Sequence, residues 1–549
     1  MRRRIVFVGS AGRRVLLGFG AAAVLAAGGC KSYDEYRQER AEYAVKHFER
    51  SQLQDLEEGR VLTLVDCIRL AGRNNLDLEV FKLEEHVARE MRTADMLGML
   101  PEINVSNTLT DRNNTPGSSS RRISSDGATY GASTSQDRTV NYLNVDFALS
   151  VLDFGLAFFN TQQAEDRVLL REQRTRRAGQ NLTLDVVRVY FQVAAAQRAI
   201  NVTTQLLEDC RTRYELIAKM GRERQISPFR AFDETRRFIE MEKRLTNYIR
   251  SYENSCYELR SLLGLYPGAA VKVDDSILDA VPDFDLPEMI EMEQIALLQR
   301  PELYEIDMQK HINILECRKT IVTMFPNVRI FMDFTNSNNT FLYHQSWWEI
   351  GIRAAYNLLK LPQQIARYQA YSSQVDAEEA RTYAQAIGVM AQVRMAHANL
   401  LATRERLDID TKVYKAYSEN LEWAKANKKM TGELSQLELD HMRLATTETE
   451  VERYLSLGNY YVSYFRILNA IGVEDLAVDS VTGLKEELGK ARVRAAEELE
   501  KAKAEYAAKH GDAAAAEAAA AESLPAETTV SEQVEASAPA EPAPVPPAE

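Results

Sequence analysis

Residues 143–151 read Leu143-Asn144-Val145-Asp146-Phe147-Ala148-Leu149-Ser150-Val151, apolar at every odd position and polar or small at every even one. Successive side chains of a strand point to opposite faces, so this stretch predicts a strand with one apolar and one polar side. The pattern returns 207 residues later, where Trp348, Ile350, Ile352, Ala354 and Tyr356 alternate with Glu349, Gly351, Arg353, Ala355 and Asn357. A soluble strand usually runs about 5–6 residues, whereas a strand crossing a membrane needs about 9–11, apolar outward and polar inward. The length therefore predicts lipid-facing positions at Leu143, Val145, Phe147, Leu149, Ile350, Ile352 and Tyr356. Tyr343, Trp347 and Trp348 cluster at one end of the later strand, where interfacial aromatics are expected.

Working outward, the whole chain is written nearly twice. Leu100-Pro101 recurs as Phe325-Pro326, an offset of 225 residues, and Ile103, Val105, Asn107 and Leu109 then fall on Val328, Ile330, Met332 and Phe334. Arg73-Asn74-Asn75-Leu76 has a counterpart in Arg300-Pro301-Glu302-Leu303. The offset then drops from 225 to 207, which places extra residues between the first copy's two strands, in the Ser- and Gly-rich stretch 117–135. Insertions of that composition belong in loops. Beyond it, Val186, Val193, Ile200, Leu207 and Tyr214 match Val393, Leu400, Leu407, Tyr414 and Leu421, while Ser227 matches Ser435 and Gly264 matches Gly472. Each copy reads helix, strand, loop, strand, long helix, tight turn, long helix. Four strands cannot close a barrel with a usable lumen, and an open edge in lipid leaves backbone groups without partners, so several chains must complete one barrel.

No proline occurs between Gly155 and Pro228, nor between Pro362 and Gly432. An unbroken helix of that length extends about 100 Å at about 1.5 Å per residue. The series Val186 to Tyr214 has a companion at Val189, Ala196, Thr203, Cys210 and Ile217, an a/d-like seam that predicts coiled-coil packing. The turns are marked by Gly221, Ser227 and Pro228 in the first copy and by Gly432 and Ser435 in the second. A glycine is expected to end each incoming helix and a serine to cap each outgoing one, with Pro228 at the first helical position.

The two ends have their own logic. Arg2, Arg3, Arg4, Arg13 and Arg14 precede an apolar run from Val15 to Ala27 that closes on Gly28-Gly29-Cys30, the order of parts of a signal peptide over 1–29. The run is shorter than the roughly 20 residues a spanning helix needs. The small residues before Cys30 resemble a lipobox, which makes Cys30 the expected lipid attachment site and 30–60 an anchored linker. Cys67, Cys210, Cys256 and Cys317 show no metal or CxxC spacing and are read as packed thiols. From about Lys485 the text becomes Lys/Glu/Ala-rich and then Pro/Ala/Glu-rich, so 475–549 is expected to be a largely disordered tail, helical at most where it starts. With 549 residues, 45% of them hydrophobic, the chain can bury a large core, and its net charge of −13 argues against a nucleic-acid partner. The seven histidines are scattered, with no triad, phosphate loop or metal spacing, so neither catalytic residues nor a cofactor or metal is expected.

These features carry a resemblance. The stretch from Leu62 to Leu76, Leu-Thr-Leu-Val-Asp-Cys-Ile-Arg-Leu-Ala-Gly-Arg-Asn-Asn-Leu, resembles the opening of the TolC-like outer-membrane efflux proteins. Met99-Leu100-Pro101, Leu152-Asp153-Phe154-Gly155 and Leu262-Leu263-Gly264-Leu265 are similar to further marks of that family, in order and spacing, over about Leu62 to Gly472. The resemblance implies a mainly α fold with membrane β-strands, a tandem repeat over 61–265 and 290–474 joined by 266–289. It also implies a homotrimer whose twelve strands form one β-barrel, continued by an α-helical tunnel through the periplasm. Implied partners are a periplasmic adaptor, an inner-membrane pump and outer-membrane lipid. The function implied is that of an outer-membrane channel in a tripartite efflux or secretion system. Family members close the periplasmic tip with inward-coiled turns ringed by carboxylates, so Glu433, Glu438 and Asp440 are the candidate gate residues here. A rival reading, a non-conducting envelope lipoprotein that scaffolds through coiled coils, explains Cys30 and the long helices but not the strands. The second copy departs from the pattern where Lys360-Leu361-Pro362 stands in place of Asp153-Phe154-Gly155.

Overall fold

The structure is a computed structural model and describes residues 31–52, 60–119, 123, 127, 129–284, 286–431, 436–473 and 481–522. The expected signal peptide, Cys30, Gly432, Glu433, Ser435 and the stretch 523–549 lie outside the described residues. The chain divides into two units, 1–487 and 488–549.

Helix α1 (Tyr33–Gln52) precedes β1 (Val61–Leu62), α2 (Leu64–Asn74), α3 (Leu76–Leu97), and the strands β2 (Glu102–Asp111) and β3 (Thr139–Ser150). The first long hairpin follows as α4 (Val151–Arg222) and α5 (Pro228–Leu262). After β4 (Lys272–Val273), the second copy begins with α6 (Met289–Gln299) and α7 (Pro301–Val322), then β5 (Asn327–Ser337) and β6 (Ser346–Ala355). Its hairpin is α8 (Leu361–Thr431) and α9 (Gln436–Ile471). The tandem order read from the sequence is the order found.

Helices α4 and α8 contain 72 and 71 residues. Each therefore extends about 107 Å. Ser150 ends β3 and starts α4, its hydroxyl accepting from Asp153 N at 3.2 Å. Val151, read from its alternation as the strand's last residue, is accordingly the first residue of the helix. The expected seam is the core: Val186, Val189 and Val193 are fully buried, and Cys210 and Ile217 join Phe238, Leu245 and Leu444 in one cluster toward the hairpin end. Burial pushes the Cys67 thiol up to about 12 and the Cys210 thiol to about 11, so both stay protonated and inert. Cys317 is only half-buried.

The copies are joined at mid-length. Strand β1 pairs in parallel with β4, Val61 opposite Lys272 and Leu62 opposite Val273. Tyr190 of α4 donates to the Asp274 carbonyl at 2.6 Å, and Phe191 stacks on Tyr461 of α9 at 4.7 Å. Each repeat ends in a left-handed glycine, Gly264 (φ 64) and Gly472 (φ 90). Each glycine presses on the break between its repeat's first two helices, Gly264 against Asn74 and Gly472 against Gln299. The residue after that break then reaches the end of the closing helix. Asn75 Nδ2 donates to the Leu262 carbonyl at 3.2 Å, and Arg300 Nη1 donates to the Ala470 carbonyl at 3.3 Å. A methyl group at 264 would collide with the Asn74 carbonyl, in a conformation that by itself costs a non-glycine residue about 1–3 kcal/mol. Gly264→Ala is expected to lower the apparent melting temperature of the purified protein, whereas Gly179→Ala, at an open helical position, should raise it slightly or leave it unchanged.

Two expectations are corrected. Gly221 does not end its helix, which runs on to Arg222, and the left-handed residue of the turn is Arg224 (φ 57). Glycine is needed at 221 for close approach, since a Cβ there would lie 2.7 Å from Ala231 Cβ. Ser227 does precede Pro228 at the helix start, but its side chain makes no capping bond. The Lys/Glu/Ala-rich start of the tail, where helix was expected, is helical from Val481 to Glu522 (α10). Its residue types have high helix propensity, and exposed pairs such as Glu500 with Lys503 at 3.1 Å add to it.

Candidate channel-forming surfaces

The four long strands form one antiparallel sheet in the order β2-β3-β5-β6. Directly opposed residues lie on the same side of a sheet, so the register sorts the side chains into two faces. Ile103 opposes Phe147, which opposes Met332, which opposes Ile350; Val105, Val145, Phe334 and Trp348 form the next row. Leu149, Ile330 and Ile352 form a third. The expected positions Leu143, Val145, Phe147, Leu149, Ile350 and Ile352 thus share one face. Ile350 and Ile352 are 74% and 73% exposed in the single chain, so this apolar face is uncovered there.

The opposite face is polar. Asn104, Asp146, Asp333 and Glu349 form one row across all four strands, and Ser150, Arg329 and Arg353 form another nearer the helices. Arg329 reaches Asp146 at 2.5 Å, and the Arg353 guanidinium lies 5.4 Å from the centre of the Phe331 ring. Phe331 lies over Gly351, where any side chain would meet its ring. Strands β2 and β6 each pair on one side only, so the sheet has two open edges.

Two aromatic assignments change. Trp348 lies on the apolar face, 4.9 Å from Phe334, but Trp347 opposes Thr335 on the polar face. Neighbouring residues of a strand cannot share a face, so the pair cannot act together in an interfacial girdle. Tyr343 sits in the β5–β6 connection, 94% exposed, and Tyr356 falls just past the end of β6 rather than at a strand position.

At the other end of the hairpins, α9 is tied to the first copy by polar pairs. Asp440 meets Arg213 of α4 at 2.9 Å, and Glu448 meets Arg244 of α5 at 2.8 Å. His441 bonds Glu234 of α5 at 2.6 Å and stacks on Phe238 with ring centres 4.8 Å apart. Asp440 is therefore engaged with α4. Of the other candidate gate carboxylates, Glu438 is exposed and Glu433 lies outside the described residues. Sequence reading missed these pairs because partners some 200 residues apart leave no local spacing signal.

The site is thus a four-stranded sheet with one apolar and one polar face, from which two helices about 107 Å long, α4 and α8, lead away. Residues 67–265 match the family model described as outer membrane efflux protein. The chain has the fold of the TolC-like outer-membrane channels. The Campylobacter jejuni CmeC outer membrane channel superposes with a TM-score of 0.60 at 15% identity, covering 77% of this chain and 89% of that one. A membrane protein from Pseudomonas aeruginosa gives 0.59 at 16% identity, covering 74% and 93%. The open-state Neisseria gonorrhoeae MtrE outer membrane channel gives 0.57 at 16%, covering 74% and 88%. No curated protein matches the chain by sequence. Among the described residues, no helix is long and apolar enough to cross a membrane.

Proposed function

We propose that three copies of this chain form the outer-membrane duct of a tripartite efflux or secretion system. The two-faced sheet with open edges at β2 and β6 supports this reading most directly. Joining β6 of one copy to β2 of the next satisfies both edges, and three four-stranded sheets make a closed twelve-stranded barrel with its apolar side toward lipid. The long hairpins then continue the barrel as a helical tunnel into the periplasm. A signal peptide over 1–29 and acylation of Cys30 deliver the chain to the outer membrane. The periplasmic end, near Arg224 and the start of α9, meets an adaptor and through it an inner-membrane pump. Glu433 and Glu438 are the carboxylates best placed in the chain to ring the closed tip. The cargo is set by the pump.

The test is single-channel conductance in planar bilayers together with a cross-linked subunit count. Discrete conductance steps from trimers are expected. A folded, lipidated protein that is monomeric and does not conduct would overturn the duct in favour of a scaffolding lipoprotein.

A further inference from the structure

The hairpin α8–α9 has two unlike faces at mid-length. On one, its arginines are neutralised by the connection between the repeats: Arg394 reaches Glu293 at 2.6 Å and Arg404 reaches Asp283 at 3.9 Å. Phe284 of the same connection stacks on Tyr464 at 3.7 Å. On the other face, α8 and α9 border a groove of about 400 Å³ whose lining includes Asn399, Thr403 and Arg406 from α8 and Asn459, Ser463 and Arg466 from α9. No carboxylate and no aromatic ring lines it.

The donors in this groove differ in how far they are committed. Thr403 and Ser463 bond each other at 2.8 Å and turn back on their own helices, Ser463 donating to the Tyr460 carbonyl, so they form a fixed floor. Neither Asn399 nor Asn459 makes a side-chain hydrogen bond among the described residues, and Arg466 has no ion pair there. Arg406 has one carboxylate within range, Asp410 at 3.7 Å, which already accepts from Ser456. Two guanidinium groups and two carboxamides thus line one groove, with Asp410 the carboxylate within ion-pair range. A guanidinium presents paired N–H donors that match the oxygens of a carboxylate or phosphate.

The geometry points to an oxyanion-binding site in this groove, formed by Arg406 and Arg466 with Asn399 and Asn459, that takes small solutes bearing a phosphate or carboxylate. Because it opens on the side of α8–α9 turned away from the inter-repeat connection, the closed ring of helices places it on the tunnel wall. That placement, though not the binding, rests on the duct reading. The site would give anionic cargo a resting point in a channel whose chain carries a net charge of −13.

The test uses the full-length protein in detergent with inorganic phosphate as probe, followed by isothermal titration calorimetry. Saturable binding is expected, weakened at least about tenfold in R406Q/R466Q, as the loss of two charge-assisted contacts implies. The variant R394Q/R404Q, altered on the other face, should bind as the parent does, and circular dichroism and subunit counting establish that both variants fold and assemble. No saturable binding, or equal binding in R406Q/R466Q, overturns the site. In bilayers, phosphate should reduce the parent's single-channel current and not that of R406Q/R466Q. Binding with an unaltered current overturns the tunnel placement, and protein that binds phosphate but never conducts instead overturns the duct.

Discussion

Replacing Arg300 by alanine is expected to lower the apparent melting temperature of the solubilised protein more than any other single side-chain truncation outside the glycine turns. Arg300 is 1% exposed at the junction of α6 and α7. It donates to Glu302 at 2.7 and 3.2 Å, to Gln392 at 2.6 Å and to the Ala470 carbonyl at 3.3 Å. Glu302 in turn meets Arg177 at 2.6 Å, and Arg177 meets Asn469 at 3.2 Å, so one network spans α4, α7, α8 and α9. Truncation removes one of the two guanidinium groups that Glu302 meets and leaves Gln392 and the Ala470 carbonyl without this donor, each buried bond left unmade costing about 1–3 kcal/mol. Truncating the exposed Arg174, which pairs with Glu305, should cost well under about 1 kcal/mol. Lysine at 300 should give an intermediate loss, because an ammonium cannot reproduce the guanidinium fork. The effect is also pH-dependent. Burial raises the Glu302 carboxyl, but the Arg300 hydrogen bonds and the Arg177 charge outweigh it and hold the group below the ordinary glutamate range. Its contribution is therefore complete above the unfolded value of about 4.3 and is lost as pH falls through the lower folded value. The gap between parent and Arg300→Ala should narrow below about pH 4, and a gap unchanged down to pH 3 would refute the ionic account.

Exchanging one residue across the sheet should give opposite results at adjacent positions. Ile350→Lys puts a charge on the apolar face, at a position 74% exposed in the single chain. A lysine in the middle of a barrel's lipid face costs about 2–4 kcal/mol. In the proposed trimer three copies multiply that cost, so heat-stable oligomer in the membrane fraction should fall severely. Glu349→Lys, one residue away on the polar row with Asp146 and Asp333, should assemble at parental levels, since an ammonium there meets water and carboxylates. If both variants assembled equally well, the apolar face would not contact lipid.

Much of this was legible in the chain's own text. The alternation from Leu143 to Ser150 and its return at Ile350 fixed the two faces, because strand side chains can point only one of two ways. The proline-free runs and the a/d series through Val186 and Cys210 fixed the long hairpins, since helix periodicity is local. The same local logic puts Trp347 and Trp348 on opposite faces, because neighbours in a strand alternate. What the tertiary structure alone decided is how distant segments meet. Nothing in the sequence shows that Arg300 does for Ala470 what Asn75 does for Leu262, because a side chain of different length and charge fills the equivalent junction. Nor does it show that Gly221 serves close approach while Arg224 makes the turn, that His441 lies between Glu234 and Phe238, or that Arg406 and Arg466 border one groove. Periodicity records which side of an element is covered. Which atoms cover it depends on long-range packing between residues hundreds of positions apart, which no local pattern encodes.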